Sequence, residues 1–134
     1  MNNASDPIER ATGPVLRVAA GEDRFGEQRE LGVNLIRFKV CPQDSDGVLI
    51  IEALTRGKGG PERHLHYEQD EWFYPVEGTY RFEIGGEYFA LGPGDAILAP
   101  RRVPHVWAHA GPAYGRMLIV FNPAGKMENF FRQA

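Results

Sequence analysis

The chain has 134 residues, enough for one domain with a real core but short of two ordinary ones. A net charge of -3 argues against a nucleic-acid face or a polybasic membrane patch, and no apolar run approaches a membrane span. A single cysteine, Cys41, excludes an intrachain disulfide, and 16 Gly with 10 Pro favour many short elements over a helix bundle.

Residues 1 to about 13 are polar and aperiodic and read as an arm. Pro14 to Ala20 alternates Val15, Arg17 and Ala19 against Leu16 and Val18, which suggests a first strand. Gly21 to Gly32 is charged and broken by glycines, so it reads as an irregular segment. On this reading residues 1–30 are an N-terminal arm with a possible first strand, and 31–134 form the domain proper. Val33 to Cys41 has strand composition, with Ile36, Phe38 and Val40 on one face. Val48 to Thr55 is almost continuously apolar, as in a strand covered on both sides. Trp72 to Glu77, Thr79 to Ile84 and Glu87 to Leu91 follow, the last two joined by Gly85-Gly86, a hairpin turn of the type that needs positive φ. Ala96 to Ala99, His105 to His109 and Gly115 to Phe121 complete the strands. Met127, Phe130 and Phe131 fall at helical spacing, which predicts a short C-terminal helix. Many short strands with turn signals between them predict an all-β sandwich or barrel. Cys41 reads as a small apolar filler.

The chemistry concentrates in two stretches. His64 and His66 lie two residues apart, so on a strand they share a face. Glu71 follows, and a turn would bring its carboxylate to the same centre. His105 adds a third imidazole from a distant strand. Three imidazoles and one carboxylate make a site for one divalent transition metal, and Fe, Mn, Ni or Zn would all fit. Glu68 and Asp70 are candidates to support an imidazole, although solvation is the simpler reading of both. Arg101 and Arg102 read as a solvated pair near the cavity mouth. Phe73, Trp107 and His109 are placed inward by alternation, as are Tyr80, Phe82 and Phe121. Five of these (Phe73, Trp107, His109, Tyr80 and Phe82) are the candidate substrate contacts, although ordinary barrel core is the simpler reading of the aromatics.

These residues resemble the cupin superfamily. Its first motif runs Gly, HxH, three or four residues, Glu, six residues, Gly, and His64, His66, Glu71 and Gly78 match it. Its second motif is matched by Gly94, Pro100 and His105. Three positions depart: Lys58 stands where the first Gly is expected, Arg102 where the second motif has Gly, and His109 where it has Asn. None of these removes a metal ligand. The stretch from Glu71 to Trp107 and the tail from Asn122 to Phe131 look like the small quercetin 2,3-dioxygenase-like cupins. That resemblance implies a single cupin jelly-roll barrel with the metal inside, and commonly a homodimer.

A dioxygenase acting on a small oxygen-chelating substrate (flavonol-, diketone- or catechol-like) is the expected function, with Glu71 also the catalytic base. A non-catalytic sensing module and a metal-dependent isomerase are the alternatives, since fold alone does not decide. The expected partners are a small-molecule substrate and a second copy of the chain, not nucleic acid or membrane. The stretches Val15 to Val18 and Val33 to Val40 are candidates for pairing strand edges across a two-fold axis. A cytoplasmic location is the default expectation.

Overall fold

The computed structural model describes residues 13–61 and 68–133. Among the described residues, nine strands run in chain order: β1 (Arg29–Leu31), β2 (Asn34–Val40), β3 (Leu49–Arg56), β4 (Asp70–Glu77), β5 (Tyr80–Ile84), β6 (Glu87–Leu91), β7 (Ile97–Ala99), β8 (His105–His109) and β9 (Tyr114–Asn122). One helix, α1 (Met127–Arg132), follows them. A six-stranded sheet has the order β1-β2-β3-β9-β4-β7, and a three-stranded sheet the order β6-β5-β8. Every pairing is antiparallel.

Alternation decides which residues meet between the sheets. Ile36, Phe38, Ile51, Phe73, Met117, Ile119 and Phe121 come from the larger sheet, and Tyr80, Phe82, Ile84 and Trp107 from the smaller. The layers lock where Phe73 of β4 meets Phe82 of β5 edge to face at 4.9 Å. Offset and edge-to-face ring pairs of this kind add to simple burial. The Gly85-Gly86 turn has φ of +57° and +85°, so a side chain at either position would be strained.

Three expectations change at the N-terminal side. Pro14 to Ala20 forms no strand, and Val15 is almost fully exposed. Alternation needs a partner to become a strand, and the place beside β2 is taken by β1, with Arg29 opposite Ile36. The stretch expected to be irregular therefore contributes a strand of its own. Its charges satisfy one another. Asp23 is buried, pairs with Arg29, and accepts backbone N–H groups of Phe25, Glu27 and Phe38. Burial alone would raise the Asp23 carboxyl, but those donors outweigh it and hold the group below its ordinary value. Finally, β2 is flanked by β1 and β3, so neither of its edges is free to pair across a two-fold axis.

The expected short C-terminal helix is present and buries Phe131 against Phe121 at 5.7 Å. Arg132 at its end sits over the rings of Phe25 and Phe38 and pairs with Glu27 and Glu128. Cys41 is fully buried, and burial, with Glu128 and Asp44 nearby, pushes its thiol up to about 11.

Candidate active site

Glu71 lies on β4, in the larger sheet. Its neighbours Trp72 and Asp70 face outward, so the carboxylate faces the interior, where the residue is 2% exposed. His105 opens β8 in the smaller sheet and is 1% exposed. The two residues are 34 positions apart, yet His105 Nε2 lies 2.9 Å from Glu71 Oε1.

The other ring nitrogen fixes what this contact means. His105 Nδ1 is 3.1 Å from the carbonyl oxygen of Val103, so Nδ1 carries the hydrogen and donates it. In the neutral imidazole Nε2 is then a lone pair pointed at a carboxylate oxygen. Two acceptors at that distance in a buried place need a hydrogen or a cation between them: a proton shared by ring and carboxylate, or a metal ion bound by both. Phe73 holds the ring from the side, edge to face at 6.0 Å.

His64 and His66 lie outside the described residues. Among the described residues no three His, Cys, Asp or Glu side chains converge on one point. The residues that flank the HxH stretch are placed, however. Gly60 and Pro61 before it and Glu68 and Gln69 after it all line one cavity, which Glu71 also lines. Gly60 is pinned there: a Cβ on it would stand 2.1 Å from the Trp107 carbonyl oxygen.

That cavity has a volume of about 1030 Å³. Its walls are mostly apolar: Leu31, Ile36, Ile51, Trp107, Ile119 and Phe121 from the sheets and their connections, and Met127, Phe130 and Phe131 from α1. Asn34, Glu68, Gln69, Glu71 and Lys126 supply the polar points. A large apolar chamber with a few convergent polar groups is the usual form of a small-molecule site. Of the expected substrate contacts only Trp107 lines it. Phe73, Tyr80 and Phe82 are buried in the core and are not among its walls.

His109 also sits elsewhere. It is four residues along the same face of β8, opposite Tyr80 of β5. Its Nδ1 lies 2.7 Å from the Gly57 carbonyl oxygen, and its main chain bridges to Gly59 in both directions. His109 Nε2 and Tyr80 Oη are both buried, with no hydrogen-bond partner among the described residues. The Thr55 hydroxyl lies close enough to Tyr80 to ease the phenol slightly, but its own hydrogen bond goes to Asn34 Oδ1 at 2.6 Å. Burial dominates and pushes the Tyr80 phenol up to about 12.

Asp70 is not available to support an imidazole. Arg101 holds both its oxygens and donates its backbone N–H as well, which keeps the Asp70 carboxyl below its ordinary value. The Arg101 side chain is therefore tied down and not simply solvated. The motifs also passed over four cavity residues. Asn34 shares the inward face of β2 with Ile36, and parity would have found it. Gln69 packs over Gly125, where a Cβ would stand 2.2 Å from its amide nitrogen. Met127 and Phe130 enter the cavity only because α1 folds back over the sheets.

A family model described as "Cupin domain" matches residues 51–121. Among curated proteins, 3-hydroxyanthranilate 3,4-dioxygenase of Mus musculus is 31% identical over 62 residues. That match takes in 44% of this chain and only 20% of the mouse protein. Among solved structures, an RmlC-like cupin from Shewanella frigidimarina superposes with a TM-score of 0.67 at 19% identity, covering 76% of this chain and 87% of the other. An oxalate decarboxylase from Bacillus subtilis, described for its Mn(II) centers, gives 0.64 at 23% identity, over 77% of this chain and 29% of its own. At those identities the two structures speak for the fold alone.

Proposed function

The chain belongs to the cupin domain family, and on that premise we propose that it is a metal-dependent cupin dioxygenase of the cytoplasm. Its substrate would be a small, largely apolar molecule that chelates through adjacent oxygens, of flavonol, diketone or catechol type. The observation that carries the reading is the buried contact between Glu71 and His105, in which two acceptors face one another at 2.9 Å on the wall of an apolar cavity. The donor set fits a divalent transition metal. His105 and Glu71 would hold it together with His64 and His66, whose stretch is bounded at both ends by cavity-lining residues. Fe or Mn would supply Lewis acidity and reactivity toward O2. The partial likeness to a dioxygenase supports this direction.

The chain's own groups divide the remaining work. The apolar walls of Ile36, Ile51, Trp107, Ile119 and Phe121 receive the body of the substrate and exclude water. Val103 fixes the His105 tautomer. Glu71, placed beside the reacting oxygens, takes the hydroxyl proton of the incoming substrate, since a carboxylate next to a cation can pass between ligand and base. Asn34 and Gln69 offer polar contacts to its far side.

Elemental analysis of untagged protein tests the metal, with about one divalent transition metal per chain expected. Uptake of O2 with a flavonol, diketone and catechol panel, after reconstitution with Fe, Mn and Ni, tests the reaction. Less than a tenth of an equivalent of metal, not recovered on reconstitution, would overturn the site. Metal without uptake on any substrate would overturn the dioxygenase and leave a binding module or an isomerase.

A further inference from the structure

Most polar groups on the wall of the chamber are already engaged. Glu71 faces His105 at 2.9 Å. Asn34 accepts the Thr55 hydroxyl on Oδ1 at 2.6 Å. The Gln69 amide is packed over Gly125. Among the described residues that line the chamber, Lys126 is the one cation. Its ammonium makes no hydrogen bond or ion pair to any described residue, Glu68 on the same wall included. Acids near it in the chain are taken: Arg132 holds both Glu128 and Glu27.

Nothing local accounts for a lysine here. It precedes the first turn of α1, where Ser, Thr, Asp or Asn would cap, and no side chain caps this helix. A cation there also faces the positive end of the helix. The main chain on both sides is nonetheless fixed. Ala124 is 1% exposed and donates its N–H to the Gly47 carbonyl at 2.7 Å. Gly125 has φ of +56° and leaves no room for a Cβ beneath the Gln69 amide. The Lys126 carbonyl accepts the Phe130 N–H at 3.1 Å. A free charge on an anchored backbone, where the helix gains nothing from it, breaks a local rule in the way functional positions do.

The position is also close to the reacting end. Register sets Glu71 opposite Phe121 and Asp70 opposite Asn122, so the chain running on from β9 toward Lys126 passes beside the start of β4. Gln69, two residues before Glu71, touches Gly125, the neighbour of Lys126. Lys126 and Phe130 are exposed as well as lining, so they stand at the mouth. We infer that the substrate is an acid: the molecule that chelates at Glu71 and His105 carries a carboxylate, which Lys126 holds at the mouth with the Gln69 amide as a second donor. The apolar walls take the body between the two polar ends. This rests on reading the chamber as the substrate site, and adds to that reading the sign of the substrate's charge. Lys126 selects the substrate and takes no part in the bond-breaking step.

Calorimetric titration under argon tests the inference, with no turnover to consume the ligand. The probes are protocatechuate and its methyl ester, which share the ring and both chelating oxygens and differ by one negative charge. Wild-type protein is expected to bind the acid about tenfold more tightly than the ester through one charge-assisted contact, and less so at high salt. Lys126→Met should erase that preference and Lys126→Arg should retain it. Arg81→Met, which removes the same charge from an exposed position on β5, should leave it intact. No preference in the wild type, a preference that survives in Lys126→Met, or one lost equally in Arg81→Met would each overturn the inference. The reaction is judged separately by O2 uptake. A Lys126-dependent preference without uptake on any substrate sinks the dioxygenase and leaves the acid site standing. Uptake with the ester bound as well as the acid does the reverse, and binding of neither probe overturns both.

Discussion

His105 and His109 occupy the same face of the same strand, both about 1% exposed, and do opposite things. Each uses Nδ1 to satisfy a main-chain carbonyl, Val103 for one and Gly57 for the other. They differ only in what Nε2 meets. At His105 it meets a carboxylate from the opposite sheet. At His109 it meets glycine: Cβ atoms added at Gly78 and Gly111 would lie 2.9 and 3.2 Å from it, and one at Gly115 would lie 2.5 Å from Cδ2 of the same ring. An acceptor facing an acceptor calls for a proton or a cation between them. An acceptor facing backbone makes a packing residue that ties β8 to the loop after β3. Residue type, burial and strand face were identical, so function here is decided by the partner.

The largest effect expected of that difference is on turnover. Glu71→Gln keeps the shape and one ligand oxygen but removes the base, so O2 uptake at matched metal occupancy should fall about 10²–10⁴-fold. His109→Gln should leave it within about threefold. Equal losses in the two would erase the distinction. Metal affinity comes next. His105→Ala should weaken binding by about tenfold or more, as loss of a direct ligand exceeds the usual cost of losing a supporting contact, while His109→Ala should not change it. Competition with a chromophoric chelator measures both.

The opposite variant attacks the His109 end. Gly115→Ala would drive a Cβ to 2.3 Å from Tyr80 Oη. It should cost about 1–3 kcal/mol in chemical denaturation, as overpacking does, and still leave metal content unchanged. The smallest effect is spectroscopic. With its phenol pushed up to about 12 by burial, Tyr80 is favoured in the neutral form by the fold. That contribution is full below about pH 10, the value of a free phenol, and disappears as pH rises through about 12. Absorbance at 295 nm should show a tyrosinate step there that Tyr80→Phe removes.

The strands were legible because alternation and turn chemistry act locally. Tyr80, Phe82 and Ile84 announce one face of β5, and Gly85-Gly86 its turn. The pairing of Glu71 with His105 was legible because residue type at motif spacing carried it. One departure from the family pattern also resolves physically: Arg102, where that pattern has Gly, keeps a left-handed φ of +68°, a conformation glycine would take without strain. What escaped was set by long-range contact. Nothing local in Arg29 says that Asp23 and the ring of Phe38, 3.9 Å from its guanidinium, will bury it and make β1 possible. Nothing local in Phe73, Tyr80 and Phe82 says that they pack behind the cavity while Phe121 lines it. Inward is a direction, and a barrel interior holds both core and chamber.

The wall that α1 gives the cavity has a thermodynamic standing unlike the rest. Six residues are too few to hold a helix in water by themselves. The helix stays in place through Phe131 against Phe121, Arg132 over Phe25 and Phe38, and the Ala124 amide on the Gly47 carbonyl. Local opening of such a segment costs only those contacts, far less than unfolding the sheets. The amides of 127–132 would then exchange with solvent on their own schedule, ahead of β3, β4 and β9. The resting cavity volume is therefore a lower bound on what the chamber admits, because one wall can melt while the sheets stay folded.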